Sequence, residues 1–486
     1  MYHRWINAMI REKFQSLFAT VHPQRLAGLT ILLLGLTGLS ACTPSAPDQA
    51  QQSSPSPAIA SDKLRIWWAQ GHYTQEDDAI KDVVQAWDDQ NPDIEVELTM
   101  LSEDDITQQT ELINQEGQGA PDVLFDNRAD TARTPRWAWD GTLLDVSPII
   151  DKAKGDYLPS AVASVQLYNN VDKKTAAYAI PTKQASVNIH YWKDLLAEAG
   201  FTEADIPQEW DAFWQFWQTA QDNLRKKGYK DIYGLGLTMS TEGVNDTYLE
   251  FEQMLEMYNV ELVSPDGKLL ATDPIVKQKL AQVLDWYTQF YKKGYVPPDA
   301  VDWVGADNNN NFLNRRLLMV LNISLSIPGA VRENPETYGN IATITFPNKP
   351  NGQPATYVTA IKQAVIFKNT PHRKAAESFI SYLIQPDNMQ ENLEASLGRW
   401  IPVMPAILKS PYFQNPDDPH ISVAVKQFTD FDSRPLAQVR NPAYVAVQAD
   451  GIWGKAMEAI LVEGKSPQVA ADEAVASLQK VFDEWQ

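Results

Sequence analysis

Leu64-Arg65-Ile66-Trp67-Trp68, Ile94-Glu95-Val96-Glu97-Leu98 and Gly119-Ala120-Pro121-Asp122-Val123-Leu124-Phe125 are the stretches that decide the fold. The first two alternate apolar and polar residues as half-buried strands do, and the third is a short apolar run of the buried kind. Between the first pair, Ile80, Val83, Val84 and Trp87 recur at helical spacing from Ala79 to Trp87, and Asn91-Pro92 stops the helix. A second helix is expected from about Glu103 to Gln115. Strand, helix, strand, helix, strand predicts a parallel sheet covered by helices, an α/β fold.

The pattern continues outward. Ala177-Tyr178-Ala179-Ile180-Pro181 predicts a strand leading into a crossing, and Ser186 to Trp192 predicts another. Phe213, Phe216, Trp217, Ala220 and Leu224 form one helical face. Asp273-Pro274 opens a helix whose stripe is Val276, Leu280, Val283, Leu284, Tyr287 and Tyr291, and Gly294 closes it. Leu317 to Leu321 is a buried strand. Ala375, Ala376, Phe379, Ile380 and Leu383 form another helical stripe, and a last helix runs from about Pro467. No internal repeat is visible.

Ahead of this body lies a different kind of sequence. A basic leader with Arg4, Arg11, Lys13 and Arg25 precedes an apolar run, Leu26 to Leu39, and then Leu39-Ser40-Ala41-Cys42. That order resembles the lipobox of bacterial lipoproteins, in which the signal is cut before a lipid-modified cysteine. It implies a signal peptide over 1–41, lipidation at Cys42 and an exported, membrane-anchored chain. The apolar run is short for a membrane span. Residues 43–61 are rich in Pro, Ser, Ala and Gln, which predicts a flexible tether over 42–61.

Composition narrows the function. The chain has 486 residues, 44% of them hydrophobic, and a formal charge of −21. Residues 1–41 carry four Lys/Arg and one Glu, so the mature chain is near −24. So acidic a body repels phosphates at long range and is a poor nucleic-acid binder. Cys42 is the only cysteine, which excludes intramolecular disulfides. His72, His190, His372 and His420 form no two-His motif with a central Glu, so no metal site is expected. No Gly-x-Ser-x-Gly elbow or Walker A sequence occurs, Gly234-Leu235-Gly236 lacks a third glycine, and no cofactor is expected. Abundant carboxylates leave an exported glycoside hydrolase open as a rival from the enzyme class. A lipid-anchored assembly or chemoreceptor-docking protein is a third reading.

The landmarks occur in a recognisable order. The opening from Leu64 to Phe125 is followed by Gly141-Thr142-Leu143-Leu144-Asp145-Val146 and by Tyr178-Ala179-Ile180-Pro181. Then come Tyr191-Trp192-Lys193-Asp194-Leu195 with Ala199-Gly200, and Pro207-Gln208-Glu209-Trp210-Asp211-Ala212-Phe213. Lys374 to Phe379 and Gly398 to Pro402 complete the series. Together they resemble family 1 extracellular solute-binding proteins of ABC importers, most of which carry carbohydrates. The departures are His190 one residue before the usual tyrosine, Glu209 ahead of Trp210, and the Arg- and Trp-rich stretch Arg128 to Asp140.

The resemblance implies two α/β lobes, the type II binding-protein fold, joined by hinge strands and closing on a solute. Its lobes would be 62–177 with a return at about 325–375, and 178–324, with 376–486 completing both. It implies a monomer that passes its solute to permease subunits, with no catalytic residues. The solute would be a mono- to trisaccharide or a glycosylated osmolyte first, and a polyol or sugar acid second.

Ligands of open α/β sheets sit beyond the carboxyl ends of strands. That rule selects Trp68, Gln70 and His72, then Asp126, Asn127 and Arg128, then Lys183 and Gln184, then Asn322 and Ser324. Loop aromatics suit the apolar face of a pyranose. They add Trp303, with Asp307 in the Asn-rich run after it, and Trp400 beside Arg399. Trp87, Trp217 and Trp286 lie on core stripes and read as packing. Asp126 and Arg128 could hold vicinal hydroxyls, with a surface ion pair as the bland alternative. Arg133 and Arg136 read as an exposed turn.

Overall fold

A computed structural model describes residues 62–116 and 119–485, which belong to one compact unit. Cys42 and the leader and tether around it lie outside the described residues.

The strands in chain order are β1 Asp62–Ala69, β2 Ile94–Leu101, β3 Val123–Asp126, β4 Gln166–Asn169, β5 Lys174–Ala177, β6 Ile180–Ala185 and β7 Asn188–Trp192. They continue with β8 Tyr233–Gly236, β9 Leu317–Asn322, β10 Ile341–Ile344, β11 Thr356–Ile366, β12 Ile401–Pro402 and β13 Asp432–Pro435. One sheet runs β12-β6-β11-β3-β1-β2, with β13 on β11. A second runs β10-β7-β9-β8, and β4 pairs with β5. β1 is parallel to both β2 and β3, whereas β11 is antiparallel to β3 and β6. The result is two α/β lobes. The chain passes from the first sheet to the second at Ser186–Val187 and returns between β10 and β11.

Each sheet has its own core, built from the residues whose spacing marked them. Helix Thr74–Gln90 buries Ala79, Ile80, Val83, Val84 and Trp87 against the first sheet. Helix Trp210–Lys226 buries Phe213, Phe216, Trp217, Ala220 and Leu224 in the second core. Burying each large apolar side chain contributes about 1.5–3 kcal/mol, so these faces hold the helices down. Asp273 caps helix Pro274–Lys292, accepting from Ile275 N at 2.8 Å and Val276 N at 3.3 Å. Gly294 ends it at φ +76°. Trp217 lies in the second core and Trp87 in the first, with Trp286 packed against the second.

Two expectations shift. Residues 177–181 are not one strand. β5 ends at Ala177 in a hairpin with β4, Tyr178 N turns to Val165 O, and β6 starts at Ile180. Residues 178–185 therefore pair in the first sheet rather than opening the second lobe. Residues 326–344 likewise reach the second sheet through β10 before β11 returns.

Helix Ile421–Thr429 wedges between the lobes. Ile421, Ala424 and Val425 pack in the first core, while Gln427 Nε2 donates to Val187 O and Asn188 Oδ1 at the start of β7. At its N-terminus, Thr343 Oγ1 of β10 lies 2.6 Å from His420 Nδ1 and 2.9 Å from His190 Nδ1 of β7. Both imidazoles are fully buried. Burial pushes His190 down to about 3 and His420 down to about 4, so both are neutral in the fold. In the unfolded chain each takes up a proton as pH falls below about 6.5. Stability from this pair is therefore complete above pH 6.5 and is lost as pH falls toward 4, by at most about 1.4 kcal/mol per pH unit per histidine. Urea denaturation should show the midpoint dropping from pH 7 to pH 5, with a shallower drop in His420→Asn. A midpoint independent of pH over that range contradicts this.

Candidate functional site

The strands of the first sheet bring an unusual set of side chains to one edge. β1 and β3 are parallel, and β6, antiparallel to β11, runs with them. Their carboxyl ends are therefore neighbours. β12 pairs with β6 so that Ile401 faces Gln184 and Pro402 faces Lys183. That places Arg399 and Trp400 beside Lys183. β11 contributes Lys362, opposite Lys183.

These charges are buried in pairs. Lys183 Nζ lies 3.3 Å from Glu76 Oε2, and Lys362 Nζ lies 3.1 Å from Asp130 Oδ1, with all four side chains almost inaccessible. Arg399 Nη1 is 3.9 Å from Glu76. Trp400 is the platform among the cations. Arg399 Cζ is 4.7 Å from its ring centre, Lys183 Nζ 5.1 Å and Lys362 Nζ 5.7 Å. Lys183 is also 5.0 Å from the Phe125 ring, which stacks on Trp68 at 4.3 Å. Cations over aromatic faces gain from the ring quadrupole, which offsets part of their lost hydration.

The pairing shows in the protonation equilibria. Burial pulls Glu76 up, but Lys183 and Arg399 outweigh it, and its carboxyl lies below the ordinary range. Burial lowers Lys183, opposed by Glu76. His72, on the rim, is lowered by burial and by Arg399.

The second lobe presents amides and hydroxyls to the facing edge. Asn322 Oδ1 accepts from Ser324 N at 3.0 Å and from Ser326 Oγ at 3.3 Å, and Asn322 Nδ2 donates to Asn309. Asp246 stands near the start of helix Val244–Met257, and the buried Asn308 donates from Nδ2 to Leu321 O at 3.4 Å. Burial pushes Asp246 up to about 7, against the opposing influence of Asn308, Arg399 and Arg128. Among the described residues, the buried polar atoms without a hydrogen-bond partner include four near this edge: Trp400 Nε1, Arg399 Nε, Gln184 Oε1 and Asn127 Oδ1. Such atoms call for a polar partner. A separate cavity of about 230 Å³ is lined by Glu256, Arg434 and Arg440, but its charges already pair with one another or with Lys349 and Glu261.

The residues singled out from sequence divide into groups. Trp68, Lys183, Gln184, Arg399 and Trp400 converge on the cluster, with both tryptophans buried in the first core rather than open on a loop, and Gln70 and His72 lie exposed on its rim. The Asp126 carboxylate accepts from Arg128 N at 3.0 Å, but the two side chains do not pair. Asp126 is bound by Arg133, and Arg128 forms an ion pair with Glu103 at 2.7 Å. Asn127 is buried between them in sequence, with its free Oδ1. Asn322 and Ser324 form the network of the second lobe. Trp303 is buried in the second core, and its carbonyl accepts from Ser240 Oγ. Asp307 accepts from Val304 N of its own loop at 2.8 Å.

Arg133 corrects the reading of an exposed turn. Its side chain is 11% exposed and also donates to Thr107 Oγ1 at 2.6 Å and Thr110 Oγ1 at 3.1 Å, fixing the helix Glu103–Glu116 to β3. Arg136 is exposed, as read, and lies over Trp485 at 5.6 Å. Sequence reasoning missed Glu76, Lys362, Asp130, Asp246 and Asn308. A signal existed for two of them. Glu76 sits on the apolar stripe of its own helix, three residues before Ala79, and Lys362 interrupts the apolar run of β11.

Two α/β lobes, each with its own sheet, define the fold of a two-lobed binding protein. Residues 82–422 match the bacterial extracellular solute-binding protein family, and this chain belongs to it. These are substrate-binding proteins of ABC transporters, not enzymes. A multiple sugar-binding protein of Streptococcus mutans serotype c is 23% identical over 74% of this chain and 79% of its own length. An ABC transporter solute-binding protein of Thermotoga lettingae bound with alpha-D-tagatose superposes with TM-score 0.69 at 21% identity, over 87% of this chain and all of the other. The maltose-bound MalE3 of T. maritima gives TM-score 0.66 at 20% identity, over 86% and 100%.

The lobes also touch at one tight place. Tyr73, before helix Thr74–Gln90, donates from its hydroxyl to Ser326 O at 3.4 Å. A Cβ on Gly329, in the helix Ser326–Ala330, would lie closer than van der Waals contact to the Tyr73 hydroxyl and 3.1 Å from its Cζ. Gly329→Ala should therefore cost about 1–3 kcal/mol despite the better helix propensity of alanine. Tyr73→Phe in the same chain should recover part of it. Calorimetric melting of the single and double variants checks this, and a Gly329→Ala variant as stable as the parent contradicts it.

Proposed function

We propose that this protein captures a sugar or small glycosylated solute in the interlobe cleft and delivers it to the permease of an ABC importer. The observation that carries the reading is the buried edge at Trp400, where Lys183, Lys362 and Arg399 lie over the ring and Glu76 pairs with Lys183 and Arg399. An aromatic face beside charged donors and acceptors matches a pyranose, whose ring C–H groups are apolar and whose hydroxyls need partners at the rim. Unpartnered Trp400 Nε1, Arg399 Nε and Gln184 Oε1 are suited to such hydroxyls. The sugars named for its relatives support the same class.

The lipobox-like Leu39-Ser40-Ala41-Cys42 supports an extracytoplasmic chain anchored by lipid at Cys42. No helix among the described residues is long and apolar enough to cross a membrane. Mass spectrometry of membrane-extracted protein should find a lipid-bearing N-terminus at Cys42, and an unmodified Cys42 contradicts the anchor.

Titration calorimetry across neutral mono- to trisaccharides, glycosylated polyols and their acids tests the capture reading. At least one saccharide should bind, and Trp400→Ala should weaken it about tenfold or more. Unchanged affinity in Trp400→Ala removes the platform from the site.

A further inference from the structure

Helix Ile421–Thr429 is fastened to the second sheet at both ends. Near its C-terminus Gln427 Nε2 holds the start of β7. Just before its N-terminus His420 meets Thr343 of β10, which meets His190 of β7. The apolar face of the same helix lies in the first core through Ile421, Ala424 and Val425. Its first residue also packs against the turn that leads into Arg399 and Trp400. A Cβ on Gly398 would lie 2.6 Å from Ile421 Cδ1 and Cγ1. The helix thus connects the histidine chain to the first lobe and to the proposed recognition edge.

The hydrogen bonds of this chain fix where its protons are. His420 Nε2 lies 3.1 Å from Tyr338 O, a carbonyl that can only accept, so Nε2 carries a hydrogen. The neutral ring then has a bare Nδ1, which accepts the Thr343 hydroxyl across 2.6 Å. Thr343 has used its one hydroxyl hydrogen, and its 2.9 Å contact with His190 Nδ1 requires an N–H on that ring. The chain therefore runs one way, from His190 through Thr343 and His420 to Tyr338. His190 Nε2 is left bare and is among the buried atoms without a hydrogen-bond partner.

A proton added to neutral His420 can only go to Nδ1, where it confronts the Thr343 hydroxyl. The O–H···N bond is lost, and a charge stands in a fully buried site. Burial holds His420 low, helped by Lys193 and Arg332 and opposed by the Tyr338 carbonyl and Asp418. Asp418 is already engaged. Its Oδ2 takes the Tyr338 hydroxyl at 2.8 Å and Arg332 at 3.2 Å, and its Oδ1 takes the backbone N–H groups of His420 at 3.0 Å and Ile421 at 2.9 Å. His190 is held low by burial and by His420, with the Ser324 backbone opposing.

We propose that the His190–Thr343–His420 chain is an acid-sensitive tie between the lobes. In the neutral state it fastens helix Ile421–Thr429 to β7 and β10; a proton on His420 unfastens the helix and loosens the hold on the solute. The tie stands on the distances above, and its effect on the solute rests on the saccharide-capture reading. A histidine that is neutral in the fastened form and titrates normally in the loosened one favours loosening by up to about tenfold per pH unit below about 6.5.

Two measurements on the full chain test the tie without any solute. Imidazole 15N spectra at pH 7.5 should show His420 protonated at Nε2 and His190 at Nδ1. Hydrogen exchange at pH 7.5 and pH 5, corrected for the intrinsic rate, should compare helix Ile421–Thr429 with helix Trp210–Lys226 of the second core. Protection of the first should fall about tenfold relative to the second at pH 5. His420→Gln, which keeps an N–H but cannot titrate, should abolish that difference. Reversed tautomers, equal changes in the two helices or an unaltered acid response in His420→Gln overturns the tie. A saccharide found by calorimetry should bind about tenfold more weakly at pH 5 than at pH 7.5 in wild type, and with little pH dependence in His420→Gln. An affinity indifferent to pH while the helix loosens overturns the effect on the solute. A helix that loosens in a chain that binds no saccharide refutes the capture reading and supports the tie.

Discussion

The buried ion pair between Lys183 and Glu76 is the interaction on which the site depends. Taking a lysine and a glutamate out of water is expensive, and their attraction repays it only if geometry and further contacts are good. Here Arg399 supports the glutamate, and the Phe125 and Trp400 rings receive the ammonium. Lys362 and Asp130 repeat the arrangement next door. Both lysines stand on β6 and β11, the strands adjacent to the passages between lobes. The proposed recognition surface thus lies on the strands next to the passages between lobes.

The division of labour between lobes follows. The first lobe is preorganised: its charges are paired, its platform is packed, and a few polar atoms stay unsatisfied. The second supplies Asn322 and Ser324 at the end of β9. Under the proposed function, a solute held by both lobes would gain contacts in a shut form that an open form lacks, and that difference in affinity would shift the population. Tyr73 against Gly329 marks how near the lobes approach. Helix Ile421–Thr429, apolar toward one core and hydrogen-bonded toward the other sheet, ties the two at the back.

Much of the fold was legible because it rests on periodicity. The alternation in β1 and β2, the stripe from Ile80 to Trp87 and the Asp273-Pro274 cap all became the elements their spacing implies. The site was legible in part, since strand order places Trp68, Lys183 and Gln184 at one edge once parallel pairing is assumed. What periodicity cannot show is pairing between distant charges. Glu76 and Lys183 are 107 residues apart, and Lys362 and Asp130 are 232 apart. Arg133 looked solvent-exposed because only the tertiary fold brings Thr107, Thr110 and Asp126 around it. Trp303 looked like a loop aromatic, yet its loop folds inward and buries it in the second core.

The central claim is that a captured saccharide bridges two lobes and stabilises their shut arrangement. Small-angle scattering of the purified body, with and without a saturating saccharide identified by calorimetry, measures this most directly. The account predicts a smaller radius of gyration and a shorter maximum dimension when the saccharide is bound. Profiles that superpose at saturation would contradict it.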